Sequence, residues 1–113
     1  TRAEANFFLG NEGAAQADLA IMRAARFAVP PPTAEVGDAL RDAIWLERRK
    51  ELAFEGHYWF DLKRTGRDIT GKTWATTLRP TGGVMPFTDF RFLAPIPLAD
   101  ITANPNLEQN VGY

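Results

Sequence analysis

Residues 47–56 read ERRKELAFEG, and six of these ten residues are charged. The apolar pattern around them predicts a helix that begins near residue 36 or 38 and ends at Phe54. At about 100° per residue, the helix face that carries Leu40, Ile44 and Phe54 also carries three glutamates. These are Glu47, Glu51 and Glu55. Because like charges one turn apart repel each other, the glutamates require cationic partners.

Three interpretations of this charged stretch are open. The first is a structural ion-pair seam, in which partly buried glutamates meet arginines of the same helix and of the DLKR segment that follows. The second is a solvated helix face, and the third is a catalytic or metal-binding cluster. We favour the seam, because a solvated face would separate acidic from apolar residues. The predicted seam consists of Glu47, Arg48, Glu51, Glu55, Asp61 and Arg64.

The sequence offers little support for catalysis. A glycosidase needs two carboxylates on opposite sides of a sugar, whereas adjacent turns of one helix place them on the same side. A carboxylate-bridged di-iron bundle needs a Glu-x-x-His pattern, but His57 is two residues from Glu55 and we expect it to be packed or at the surface. The chain has no cysteine and no serine, which excludes thiolate and serine nucleophiles. We predict no catalytic residue, no metal site and no cofactor.

The composition is typical of a soluble globular protein, with 113 residues, 45% hydrophobic and 24% charged. A net charge of −1 gives no reason to expect nucleic acid as a partner. The chain has no signal-peptide pattern and no run of about 20 apolar residues that would span a bilayer. It begins without methionine and within a helical pattern. We therefore expect a piece of a longer protein, with any export signal or lipid anchor upstream.

The first third of the chain predicts a helical hairpin. One helix covers residues 2–9 and stops at Gly10-Asn11, and a second covers residues 12–27. Small and apolar residues at three- and four-residue steps define the expected packing face of the second helix, namely Ala14, Ala17, Ile21, Ala24 and Ala28. The pattern fits one tetratricopeptide-like unit or another αα-hairpin. Pro30, Pro31 and Pro32 end this pair, and residues 29–37 form a linker.

The second half of the chain predicts less regular structure. Residues 57–65 form a short helix, and residues 66–89, rich in Gly, Thr and Pro, form a loop with a short hairpin. Residues 90–97 form at most an edge strand, because prolines interrupt it. The tail gives one helical turn and then an ordered polar coil. We expect Trp45 and Trp59 in the core, and Trp74, in the loop, as a weak ligand-binding candidate.

Two long motifs resemble the C-terminal signature of the RagB/SusD family. The first is the run IWLERRKELAFEGHYWFDLKRTGR at residues 44–67, and the second is PIPLADITANPNLEQNVGY at residues 95–113. The opening RAEA…LG…A…DL also resembles the last tetratricopeptide-like pair of such proteins. The motifs stand in the family's order, and the resemblance covers nearly the whole chain except residues 68–88.

The resemblance implies a fold and a function. The implied fold is mostly α, of the alpha-alpha superhelix type. Residues 1–113 would be the C-terminal part of one SusD-like domain, divided into a helix pair at 1–28, the charged helix and DLKR segment at 36–65, and loops with a C-terminal strap at 66–113. Family members are outer-membrane lipoproteins that bind glycans, or sometimes peptides, at the cell surface and pass them to a SusC-like TonB-dependent transporter, without cleaving them. The implied ligand is an oligosaccharide or polysaccharide.

Two departures from the family pattern qualify this resemblance. Tyr58 stands where the family often has arginine, which puts one partner of the ion-pair seam in doubt, and Asp100 replaces a glutamate. The family's ligand-contacting residues lie in a loop-rich region that this chain mostly lacks, so none of them is assigned here. A helical protein-interaction scaffold is the alternative function, and a carboxylate-based glycosidase is the third.

Overall fold

The computed structural model describes residues 1–71 and 83–113, and in these ranges the chain is mostly helical, which confirms the predicted fold class. The chain divides into two compact units, Thr1–Tyr58 and Trp59–Tyr113. The helices are α1 (Arg2–Phe8), α2 (Glu12–Arg26), α3 (Gly37–Glu51), α4 (His57–Thr65) and α5 (Leu98–Ala103), and a 3-10 turn lies at Phe90–Phe92.

Helices α1 and α2 form the predicted hairpin. Gly10 adopts a φ of +80°, a left-handed conformation that costs glycine little. The N–H of Asn11 then donates to the carbonyl of Asn6 at 2.9 Å, and the N–H of Gly10 donates to that of Phe7 at 3.0 Å. These two bonds satisfy carbonyls that the end of α1 leaves open. The predicted stop at Gly10-Asn11 is therefore confirmed.

The predicted packing face of α2 is wrong. Ala15, Leu19 and Arg23 are buried on this helix, whereas the predicted face is exposed throughout: Ala14, Ala17, Ile21, Ala24 and Ala28. Alanine occurs all around this helix, so its spacing does not single out a face. The position of Leu19 decides the rotation, because a leucine buries far more apolar area than an alanine.

The core of the first unit joins α2 to α3. Ala15 and Leu19 of α2 pack with Leu40 and Ile44 of α3, and all four are buried. Partly buried residues of α1 and α3 surround this cluster, namely Ala3, Phe7 and Ala43. Helices α1, α2 and α3 thus share one small core, with the small side chain of Ala15 allowing close helix contact.

Helix α3 ends at Glu51, three residues before the predicted end. Leu40 and Ile44 face the core as predicted, but Phe54 is fully exposed and has a φ of +67°. A non-glycine residue in this left-handed region has left the helix. The prediction that Phe54 extends the core face of α3 is therefore wrong, since the helix has already ended at Glu51.

Arg23 fastens the proline-rich linker to α2. Its Nη1 donates to the carbonyl of Pro32 at 2.8 Å and to Thr33 Oγ1 at 3.2 Å. Both terminal nitrogens also bond the carboxylate of Glu35, at 3.1 and 2.7 Å. Gln16 adds a bond from Nε2 to the carbonyl of Glu35 at 2.7 Å. The linker between α2 and α3 is therefore held by buried polar contacts.

In the second unit the buried apolar side chains come from α4, the segments that flank residues 72–82, and the 3-10 turn. They are Leu62, Ile69, Met85 and Phe92. Ile69 and Met85 exchange two backbone hydrogen bonds of 2.9 Å in an isolated antiparallel bridge. Within the described residues this bridge matches the short hairpin expected in the loop. Trp59 of α4 stacks on Phe92, with ring centroids 5.0 Å apart.

Residues 90–92 form a 3-10 turn in place of the predicted edge strand. Asp89 is the reason, because its Oδ1 accepts the backbone N–H of Arg91 at 3.0 Å. Its two oxygens also accept from the Arg91 guanidinium, at 2.8 and 2.7 Å. This arrangement caps the turn. The hydrogen bond from Arg91 lowers the pKa of Asp89 to about 2.

The C-terminal strap is held by side-chain amides. Gln109 exchanges two hydrogen bonds with the backbone of Ile96, of 2.8 and 2.9 Å. Asn110 donates to the carbonyl of Ala94 at 2.7 Å, and the Tyr113 hydroxyl donates to that of Leu93 at 2.8 Å. Helix α5 supplies the predicted helical turn before the coil. A coil without a strand partner is thus satisfied by amide side chains.

Loss of the Arg23 contacts should destabilise the first unit. Arg23→Met leaves the carboxylate of Glu35 without its cation and removes the hydrogen bonds from Arg23 to Pro32 and Thr33 of the linker. We therefore expect a loss of about 2–4 kcal/mol in the free energy of unfolding. Urea unfolding followed by far-ultraviolet circular dichroism measures it. Arg2→Met is the matched control, since it breaks an exposed pair with Asp18. Equal effects of the two substitutions would contradict the assigned role of Arg23.

The Asp89–Arg91 pair should give the second unit a defined pH dependence. The pKa of Asp89 lies below its ordinary value of 3.8. The ionised carboxylate therefore stabilises the fold above pH 4, and this contribution is lost as the pH falls from about 4 to about 2. We expect wild type to exceed Asp89→Asn in stability above pH 5, with the difference vanishing near pH 2. Thermal unfolding of both proteins from pH 1.5 to 6 tests this, and a pH-independent difference would contradict it.

Candidate functional site

A cleft of about 230 Å³ opens between α1, α2 and α3 within the first unit. Its apolar lining comes from all three helices and the residue after α3, namely Ala3, Leu19, Met22, Ile44 and Leu52. Its polar lining consists of Thr1, Glu4, Glu47, Arg48 and Glu51. The cleft thus combines an apolar floor with three carboxylates, two of which belong to the predicted ion-pair seam.

Glu47 is the most deeply buried of the predicted seam residues in the first unit. Its side chain is 7% exposed, and Oε1 accepts from Lys50 Nζ at 2.7 Å, one turn further along α3. Oε2 is buried and has no hydrogen-bond partner in the described part of the chain. A buried carboxylate oxygen without a donor is costly, by about 1–3 kcal/mol or more.

Glu51 lies one turn after Glu47 and pairs with Arg26 of α2. The hydrogen bond from Arg26 lowers the pKa of Glu51 below its ordinary value. Glu51 is therefore ionised at neutral pH and ties the end of α2 to the end of α3. Its cation comes from α2 rather than from the DLKR segment.

Glu4 joins α1 to α3 at the other end of the cleft. The indole N–H of Trp45 donates to Glu4 Oε1 at 2.7 Å. Trp45 is half-buried, and the Arg41 guanidinium lies 4.9 Å from its ring centre. The prediction that Trp45 is a core residue is correct only for part of its side chain. The indole N–H needs a hydrogen-bond acceptor and finds it in Glu4 at the rim of the cleft.

The other predicted seam residues have separate partners. Arg48 donates to Thr1 Oγ1 at 3.2 Å, and exposed Glu55 lies 4.0 Å from His57 Nε2. In the second unit, Asp61 is buried and accepts from Arg64 Nε at 2.7 Å. A single continuous seam through all six residues stays a prediction. His57 is half-exposed, in line with a surface residue.

The other aromatic residues singled out in the sequence are Trp59, Trp74 and Tyr58. Trp59 is half-buried by its stack on Phe92, and Trp74 lies outside the described residues. At position 58, where the family often has arginine, the ring of Tyr58 lies under the guanidinium of Arg49 at 4.2 Å from the ring centre. A positive charge therefore lies on the ring of Tyr58, the side chain that stands in place of the family's arginine, and Arg49 supplies that charge.

Sequence reasoning missed Glu4, Arg23, Arg26 and Glu35. Each is an ordinary charged residue of a helix or linker, and its partner lies at least nine positions away in the chain. The one available signal is the position of Glu4 between Ala3 and Phe7 on the packing face of α1. Within residues 1–71 and 83–113, no group of three or more acidic or histidine residues could hold a metal ion. No helix in these ranges is long and apolar enough to cross a membrane.

Comparison with known proteins identifies the family of the chain. The model of the SusD family matches residues 1–113, and the chain therefore belongs to the SusD family. A SusD-like protein of Formosa agariphila is 38% identical over 76 residues. The match covers 67% of this chain and 13% of the relative's length. No solved structure matches the chain.

The Glu4–Trp45 hydrogen bond should couple α1 to α3. Because Glu4→Leu removes the carboxylate that accepts from the part-buried indole N–H of Trp45, we expect a loss of about 1–3 kcal/mol in unfolding free energy. Glu4→Gln keeps an acceptor and should lose much less. In the Trp45→Phe background, which lacks the donor, Glu4→Leu should cost little. Urea unfolding of this double-mutant cycle gives the coupling, and a coupling near zero would show that the bond does not stabilise the hairpin.

Proposed function

We propose that this chain is part of a cell-surface lipoprotein of the outer membrane that captures a glycan and passes it to a SusC-like TonB-dependent transporter. It carries out no catalysis and uses no cofactor. The observation that carries the proposal is the match of all 113 residues to the SusD family. The whole protein would be far longer than this chain, because the match spans 13% of the relative's length.

The chemistry of the charged residues supports a non-catalytic role. Glycosidases need one carboxylic acid whose raised pKa keeps it protonated. Arg26 instead lowers the pKa of Glu51. Glu47 is engaged by Lys50, and Glu55 is exposed and lies outside the cleft lining. Glu51 thus joins α3 to α2 and Glu47 bonds within α3, an arrangement that favours a binding protein over the glycosidase alternative.

The organisation of the chain also suits this role. We propose that residues 1–113 form the C-terminal part of one SusD-like domain, with the helix pair at 1–28, the charged helix and DLKR segment at 36–65, and loops with the strap at 66–113. The helical segments supply a scaffold, and the loop-rich segment leads to the ligand. Phe87 and Phe90, both partly exposed, present aromatic surface there, and Phe60 of α4 is 67% exposed. Aromatic faces of this kind stack on sugar rings, and Trp74 remains a ligand candidate.

A helical protein-interaction scaffold is the second candidate function. It is favoured by exposed apolar side chains on the α1–α2 hairpin, among them Phe8, Leu9 and Ile21. Contiguous exposed apolar groups mark surfaces that other protein segments cover. In a larger SusD-like domain the same side chains would meet neighbouring helices, so this observation is compatible with both functions.

Cell fractionation distinguishes the two functions. An antibody against residues 104–113 should detect, in native cells, a protein several times larger than 12.6 kDa. This protein should sit in the outer-membrane fraction, should be digested by protease added to intact cells, and should co-purify with a TonB-dependent transporter. A periplasmic protein that resists the added protease is the control for membrane integrity. A protein confined to the inside of the cell would contradict delivery and favour the scaffold.

A further inference from the structure

The cleft between α1, α2 and α3 has the chemistry of a site for a primary ammonium group on an aliphatic stem. We propose that it binds a lysine-type side chain, with the ammonium donating to Glu47 Oε2. This site goes beyond the capture of glycans and does not depend on it. The starting observation is that Glu47 lines the cleft, is more than nine-tenths buried, and has an oxygen without a donor.

The unpartnered oxygen calls for a charged donor. A hydrogen bond to an ionised group is about twice as strong as a neutral one. The charges of Arg23 and Arg26 interact with Glu47, but the hydrogen bonds of these arginines to carboxylates go to Glu35 and Glu51 respectively. Arg23 Nε is itself buried without a partner and does not bond Glu47 Oε2. A donor that enters through the cleft would therefore complete the coordination of Glu47 without displacing an existing ion pair.

The single open acceptor on Glu47 favours an ammonium over a guanidinium. Lys50 Nζ already occupies Oε1 of Glu47 at 2.7 Å, which leaves one oxygen for a guest. A guanidinium gains most from a carboxylate when its planar fork contacts both oxygens, whereas an ammonium acts as a point charge on one. With Lys50 in place, the site favours the single-point donor.

The floor of the cleft selects an aliphatic stem. Leu19, Met22, Ile44 and Leu52 line it beside the carboxylates. A lysine side chain buries its methylene groups along apolar surface while its charged end reaches a polar partner. An amino sugar carries the same ammonium group but surrounds it with hydroxyls, which this apolar floor cannot satisfy. Lysine-type ligands should therefore bind better than glucosamine.

Binding of N-acetyl-lysine methylamide to the ¹⁵N-labelled chain tests the proposal by nuclear magnetic resonance titration. We expect shifts at residues of the cleft lining and a loss of affinity of about tenfold or more in Glu47→Gln. Glu55→Gln, an exposed glutamate on the same segment, is the matched control and should bind as wild type does. N-acetyl-norleucine methylamide, which keeps the stem without the charge, should bind at least about tenfold more weakly.

Lys50→Met should raise ligand affinity, whereas Glu47→Gln should lower it. The Lys50→Met variant therefore still tests the proposal if Glu47→Gln fails to fold. This substitution removes a half-exposed cation and frees Oε1. Affinity for N-acetyl-lysine methylamide should rise. Affinity for N-acetyl-arginine methylamide should rise by a larger factor, because the planar guanidinium can then contact both oxygens of Glu47. The proposal is overturned by no shifts in the cleft, by equal binding of the norleucine analogue, by tighter binding of glucosamine, or by Lys50→Met leaving both affinities unchanged.

Discussion

The buried guanidinium of Arg23 is the contact on which the first unit depends. It bonds a backbone carbonyl, a hydroxyl and a carboxylate of the linker, so the proline-rich segment follows one path from α2 to α3. That path brings Leu40 and Ile44 of α3 against Leu19 of α2. A core of so few apolar residues supplies little free energy by itself, so placement of the helices relies on directed polar contacts.

Charged side chains join the helices of this unit in the same manner. Glu51 meets Arg26 between α3 and α2, and Glu4 meets the Trp45 indole between α1 and α3. Glu47 also lines the cleft. Its Oε1 accepts from Lys50 of the same helix, and its Oε2 has no hydrogen-bond partner among the described residues. In the charged stretch, Glu51 and Glu47 thus lie in polar contacts beside apolar residues, whereas Glu55 is exposed. Glu51 joins α3 to α2 at the cleft, and Glu47 bonds within α3 with one acceptor oxygen to spare.

The second unit solves a different problem, that of ordering a chain with few regular elements. Asp89 caps a 3-10 turn, Gln109 pairs with both backbone groups of Ile96, and the Tyr113 hydroxyl closes on Leu93. Gly112 has a φ of +102°, and a Cβ there would lie 2.5 Å from the ring of Phe90. Side chains thus replace the hydrogen bonds that strands would supply, and Gly112 allows the backbone of the tail to approach the ring of Phe90 closely.

The sequence by itself determined the helical class, the stop at Gly10-Asn11, the buried positions Leu40 and Ile44, and the family. These depend on local periodicity, on glycine's backbone freedom and on long motifs. Only the tertiary structure decided the rotation of α2, the early end of α3 before Phe54, and the partners of Glu4, Arg23 and Glu47. The physical reason is that alanine spacing marks no unique face, and that ion-pair partners are chosen by distance in space, which sequence separation does not encode.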